Sequence, residues 1–255
     1  MELKTRHIPV VFPLGLVLAA CLTGCPGWVQ RPPQTPAGGA IPAPVPGLPP
    51  GETEQNRRLG RPYDVSPGDS LLTILAFRGG ALAKAGHNHV IASHDIRGSF
   101  YVPDDVLRST FELHIPVAQL TIDEPGLRAR EGADFPVDVP ESAKEGTRKN
   151  MLGEALLSAA QYPQVTLVSQ QIAPGPMGSS VLANVQVIVR GQAHTVVVPV
   201  AYSLAGNELV ASGDLTIKQT DLGLKPFSAM LGALQVQDEL RVRFRIVAWE
   251  SSTRH

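Results

Sequence analysis

A chain of 255 residues that is 43% hydrophobic and 18% charged has enough apolar content to bury a core and is not disordered throughout. Its 24 glycines and 23 prolines commit many residues to turns and linkers, so the folded part is shorter than the chain. A formal charge of -1 provides no long-range field to draw in nucleic acid, which sets that class of partner aside.

The first 25 residues read as a lipoprotein-type signal peptide and lipobox. A short basic stretch, "MELKTRH", precedes "IPVVFPLGLVLAACLTGC", an apolar run too short and too interrupted by Pro and Gly to span a bilayer. Both cysteines lie here, in "LAAC" and "LTGC", each with the small residues that precede a lipidated Cys in bacterial lipoproteins. Lipidation falls on Cys21 or Cys25. The apolar run ends at Cys21, whereas choosing Cys25 leaves no spare thiol in an oxidising compartment. Neither is followed by Asp, which among proteobacterial lipoproteins implies the outer membrane, so the expected location is the cell envelope, lipid-anchored and facing the periplasm. No Cys remains beyond position 25, and the folded part therefore has no disulfide framework or thiolate metal site.

Residues 26–61 form a tether. Nine prolines between Pro26 and Pro50 favour an extended polyproline-II chain, which at about 3.1 Å per residue reaches several tens of ångströms. Residues 62–250 then change to a period of two. In "RVRFRIVAW", Val242, Phe244, Ile246 and Ala248 share one face and Arg241, Arg243 and Arg245 the other, as in a strand buried on one side with a solvated charge stripe outside. Seven further runs follow the same pattern: "SLLTILAFR", "DIRGSFYVP", "STFELHIPV", "YPQVTLVSQQI", "VLANVQVIVRG", "AHTVVVPVAYSL" and "ELVASGDLTIKQ". Tight reversals at "LAGNEL" and "VRGQAHTV" make neighbours antiparallel. One insertion, Asp123 to Pro163, separates strands 3 and 4, and within it "TRKNMLGEALLSAA" predicts a short helix from Met151, Ala155 and Leu156. Eight antiparallel strands with one insertion predict an all-β closed barrel, since closure removes exposed edges. Such a barrel has room for one small ligand.

Three histidines fall within "GHNHVIASH". His87 and His89, two apart on a strand, point to one side. They suit a metal, a hydrogen bond to a ligand's polar head at the barrel mouth, or a turn entering the second strand. A metal needs a third ligand, and His94 falls on the opposite face. Ser93, His94 and Asp95 are consecutive, alternate sides and make no triad. "RGGALAKAG" lacks the Gly-Lys-Ser/Thr of a phosphate loop, and Asp134, Asp138 and Glu141 match no calcium loop.

The pieces "GHNHVI", "IRGSF", "NMLGEALLSAAQYPQVTL", "VIVRGQAHTVVVPV" and "TDLGLKPFSAMLGALQVQDEL", in that order, resemble the YceI-like, polyisoprenoid-binding family, and the GHNH-containing branch of it, over roughly Pro62 to Glu250. The resemblance implies an eight-stranded antiparallel lipocalin-like barrel whose interior holds a polyisoprenoid, quinone-like or fatty-amide chain, with no catalysis and no cofactor. The tether and the acidic "DFPVDVPESAKE" depart from the family pattern. Phe77, Phe100, Phe111, Leu113 and Phe244 lie on the more apolar parity of their strands, and side chains there either fill a small barrel or line a cavity; the resemblance favours lining. Phe227, Met230 and Leu231 either cap that cavity or plug the barrel's end. The expected partners are a long-chain isoprenoid or lipid ligand and, through the N-terminal anchor, the membrane. Two other readings stand beside this one: a metal-dependent envelope enzyme using His87 and His89, and a filled barrel acting as a surface interaction module.

Overall fold

The computed structural model describes residues 60–251. The leader with Cys21 and Cys25, and the tether as far as Leu59, lie outside the described residues. The strands are β1 (Arg61–Val65), β2 (Leu71–Gly79), β3 (His89–Ser93), β4 (Arg97–Val102), β5 (Thr110–Pro116) and β6 (Thr121–Ile122), then β7 (Gln164–Pro174), β8 (Ser180–Val189), β9 (Gln192–Ala205), β10 (Glu208–Lys218), β11 (Ser228–Ala229) and β12 (Leu234–Glu250). Two helices, α1 (Pro125–Arg128) and α2 (Glu141–Leu152), fall between β6 and β7.

Every pairing is antiparallel, and the order β1-β4-β5-β7-β8-β9-β10-β12 closes because β12 also pairs with β1. The result is an eight-staved barrel in which three neighbouring staves are each broken into two pieces. β1 and β2 pair in series along β12, β4 and β3 continue the next stave, and β5 and β6 the third. The first break is a 3-10 turn at Pro67–Asp69, and the Ser70 hydroxyl repairs the ladder there by accepting the Val247 N–H at 3.0 Å and donating to Ser66 O at 2.7 Å. All eight predicted strands are present. The Arg190-Gly191 reversal has both residues at positive φ (50° and 70°), the two-residue turn whose twist matches its flanking strands.

The interior is solid at one end and hollow beyond it. Tyr63, Val102, Leu209 and Ala248, none more than 5% exposed, pack with Phe100 and Ile246 to close the end near β1. Outside the barrel, α1 and the loop after it cover β2 and β3, where Leu75, Val90 and Ala92 form a second core with Leu127 and Phe135. The predicted helix forms earlier than expected. It starts after Pro140, with Glu141 favourably placed in its first turn, and stops at Gly153. Ala155 and Leu156 therefore fall beyond it; the apolar spacing there serves Leu156 and Leu157, which pack across the barrel end against Val165, Val189 and Leu222. Arg148 pins α2 to the third stave by donating to Leu120 O at 2.7 Å and to Ala118 O. The arginine stripe of β12 faces outward as expected and is paired: Arg241 grips Asp214 through two bonds of 3.0 and 2.7 Å, and Arg243 pairs with Glu131.

Candidate functional site

The period-two alternation turns one face of each stave inward, and those faces enclose a cavity of about 630 Å³. Ile74 and Ala76 of β2, Val185 and Val187 of β8, and Val196 and Val198 of β9 belong to its wall. Branched aliphatic side chains dominate, which leaves the middle of the cavity with no hydrogen-bonding group to orient a polar ligand. Gly213 in β10 has a specific part in shaping it. A Cβ there would stand 2.6 Å from the Phe244 ring and 2.5 Å from Pro199 O, so only glycine lets that ring lie against the strand.

Polar groups enter the lining only toward the end opposite Tyr63. Arg78, His87, His89, Thr147, Asn150, Gln219 and Gln235 are found there, and the solvent exposure of Asn150, Gly146, Ala85 and Gln235 marks where the cavity opens. Three segments frame the opening: residues 83–87, α2, and residues 227–236. His87 and His89 both face the cavity, with ring centroids 6.3 Å apart. Asn88, between them, points the other way and staples the turn. Its Oδ1 accepts the Arg78 N–H at 3.0 Å and its Nδ2 donates to Asp134 O at 3.0 Å. Asn88 thus serves the turn, while His87 and His89 stand toward the cavity.

His89 is held by the insertion. Its Nδ1 donates to Asp123 Oδ2 at 2.6 Å, and its Nε2 lies 3.2 Å from the Thr147 hydroxyl of α2. Asp123 is fully buried, takes the Val90 N–H at 2.8 Å on its other oxygen, and pairs there with the equally buried Arg128. Arg128 also donates to Asn88 O at 2.7 Å and Pro136 O at 2.6 Å, with its guanidinium 5.6 Å from the Phe135 ring centre. Burial pushes the Asp123 carboxyl up, but the His89, Val90 and Arg128 hydrogen bonds outweigh it and hold the carboxyl below its ordinary value. The Thr147 hydroxyl can donate to Nε2, or turn its proton to Ala143 O, 2.9 Å away, and accept there instead. Both nitrogens are engaged in either arrangement. His87, by contrast, faces the cavity without such a clamp.

This arrangement separates the expected site residues. Phe100, Phe111, Leu113, Phe227, Phe244, His87 and His89 line one cavity. Phe77 does not. It stands on the outer face of β2, 5.7 Å from the Phe135 ring and edge-on to it, within the second core. Both faces of β2 are apolar because the insertion covers the outer one, so apolar parity does not tell inside from outside there. Met230 also lies off the cavity and is 67% exposed, as is Leu231 at 109%, so neither caps nor plugs the barrel. Thr147, Asp123 and Arg128 carry no sequence signal; only the fold brings positions 89, 123 and 147 together. His94 bonds Glu124 at 2.9 Å while Asp95 pairs with Arg97, which disperses "SHD" as expected. Among the described residues no three His, Cys, Asp or Glu side chains gather in a metal-binding group.

The clamp on His89 has a measurable consequence. His89→Ala should lower stability by about 1–2 kcal/mol, because Asp123 and Thr147 each lose a partner, whereas His87→Ala should leave the urea midpoint within experimental scatter of the parent. Equal losses for the two variants would contradict the assigned roles.

A closed eight-stranded antiparallel barrel with an apolar interior defines a lipocalin-like protein. The profile of the YceI-like domain family matches residues 63–248, and the chain belongs to that family. Among solved structures, it is similar to BcnA of Burkholderia cenocepacia, with a TM-score of 0.53 and 20% identity, covering 72% of this chain and 99% of that one. It is also similar to a polyisoprenoid binding domain from Saccharophagus degradans, implicated in plant cell wall breakdown, at a TM-score of 0.49 and 12% identity over 74% of this chain and 98% of that one. A YceI protein of Campylobacter jejuni follows at 0.45 and 10%, over 62% of this chain and 82% of that one. None of the curated proteins matches.

Proposed function

We propose that this protein is a cell-envelope lipoprotein of the GHNH-containing YceI-like branch, binding a long apolar molecule of the polyisoprenoid, quinone-like or fatty-amide type without chemistry of its own. The observation that carries the reading is the continuous apolar cavity of about 630 Å³, a size suited to enclosing a small ligand. A tail fills the aliphatic middle, and a polar head meets His87 at the open end, beside the clamped His89. With both ring nitrogens of His89 taken by Asp123 and Thr147, metal ligation and general-base work are disfavoured there, and His87 is the ring left to hydrogen-bond a ligand. The leader with Cys21 or Cys25 would supply the anchor, and the Pro-rich segment after it would leave the barrel free to reach the membrane surface.

Mass spectrometry of organic extracts from purified protein tests the ligand directly. A long-chain apolar compound at near-stoichiometric amounts is expected; an empty extract, together with no rise in melting temperature on adding isoprenoid quinones, prenols or fatty amides, would remove the support for a carrier. For the anchor, full-length protein in a proteobacterial host should partition into detergent with the membranes, and replacing Cys21 and Cys25 together should release it or leave it unprocessed. Wild-type protein recovered wholly in the soluble periplasmic fraction would refute lipidation.

A further inference from the structure

The loop joining β11 to β12 carries two apolar side chains into water on strained backbone. Met230 and Leu231 have φ of 52° and 56°, the left-handed region that costs residues with a Cβ energy, and Gly232 follows them at 90°. Their side chains are 67% and 109% exposed, so no packing inside the protein offsets that cost. Such strain persists only where its surroundings over-determine it, and it points to a use outside the fold.

The neighbouring loop adds to the same patch. Leu82, 44% exposed, donates its N–H to Ala233 O at 2.7 Å, and Gly80 packs so closely on residues 232 and 233 that a Cβ would stand 2.4 Å from Ala233 O. The two loops are thus fixed together as one tip. This tip borders the cavity opening, since Ala85, Phe227 and Leu234, a few residues away on the same loops, line the cavity. Segments 78–91 and 222–237 carry Arg78, Lys84 and Lys225; of the acidic residues that border them, Asp238 is taken up by Thr220 while Asp221 is exposed, and α2 adds three basic and two acidic side chains.

We propose that Leu82, Met230 and Leu231 insert into the interface of a phospholipid bilayer, with Lys84 and Lys225 against anionic headgroups, so that the barrel docks with its cavity opening on the membrane. Apolar side chains flanked by lysines suit the boundary between acyl chains and headgroups. A protein partner would have to match that mixture with a complementary acidic and apolar surface, whereas a bilayer supplies both everywhere. Docked this way, a cargo chain could pass between membrane and cavity without crossing water. The contact itself is read independently of any cargo.

The test uses full-length protein carrying Cys21→Ser and Cys25→Ser, so that no acyl anchor contributes. One version also carries Leu231→Cys and another Asn207→Cys, each labelled with a polarity-sensitive fluorophore. Asn207 sits in the β9–β10 hairpin beside Glu250, at the far end of β12, and any tethering by the leader is common to both proteins. With vesicles of mixed phosphatidylcholine and phosphatidylglycerol, the label at 231 should shift to the blue and become severalfold less accessible to an aqueous quencher, while that at 207 should not change. Lys84→Glu with Lys225→Glu should weaken the effect severalfold, as should raised salt. Equal quenching at both positions would overturn the proposal. A blue shift at 231 that grows with protein concentration in the absence of vesicles would also overturn it, by assigning the patch to a second copy of the chain.

Discussion

Asp123→Asn is expected to destabilise the protein by about 3–5 kcal/mol, the usual cost of stranding one half of a buried ion pair. Arg128 would keep its charge at 0% exposure with only the carbonyls of Asn88 and Pro136 to solvate it, and His89 would lose its charged acceptor. Chemical denaturation measures the loss. The double change Asp123→Leu with Arg128→Met should recover part of it, because replacing both charges by apolar groups removes the penalty along with the attraction. The pH profile adds a second check. The folded Asp123 carboxyl titrates below its unfolded value of about 3.9, so its contribution is complete above that pH and is lost as pH falls through the folded value. Wild-type protein should therefore lose stability on acidification below about pH 4, and the Asn variant should lose less over the same window. A variant within about 1 kcal/mol of wild type, too small a change for a broken buried pair, would show that the pair does not hold the insertion to the barrel.

Ala211→Trp is expected to remove bound ligand while keeping the fold. Ala211 stands in the wall of β10 opposite Ile246 on β12, and its small side chain leaves open the space that an indole would take. Because that space already exists, the substitution should cost no more than the roughly 1–3 kcal/mol of ordinary overpacking. Ligand recovered per mole of protein should fall at least about tenfold, equivalent to 1.4 kcal/mol of lost binding. Val197→Trp is the control, since Val197 is 56% exposed on the outer face of β9. If both variants keep their ligand, the cargo does not lie in the barrel.

The barrel was legible because period-two alternation is a local signal, and each of its eight runs became a stave. What escaped were short pieces whose pairing depends on distant chain. β1, five residues with a Pro and an Asp, forms a strand because β4 and the end of β12 flank it. β3 begins inside "GHNH", where glycine and polar residues look like a turn. The misplacement of Phe77 has the same origin: alternation marks inside from outside only where the outer face meets water, and here Leu127 and Phe135 cover it. The aromatic wall of the cavity could be read from parity, whereas the Asp123–Arg128 pair could not. "IDEPGLRAR" resembles any charged loop, and nothing local says that two of its charges are buried.

Closure of the barrel by β12 also shapes how the chain must fold. The strand that completes the ring is the last one, and it pairs Tyr63 with Glu250 and Leu71 with Arg245, contacts separated by nearly the whole domain. Until those final residues are available, β2 and β10 each keep an unsatisfied ladder edge and the apolar wall stays open to water. Folding should accordingly be slow for the domain's size, in the millisecond-to-second range typical of topologies dominated by distant pairings. An incomplete chain would be held back from closing by the absence of its last strand alone, and would present two sticky edges to its neighbours.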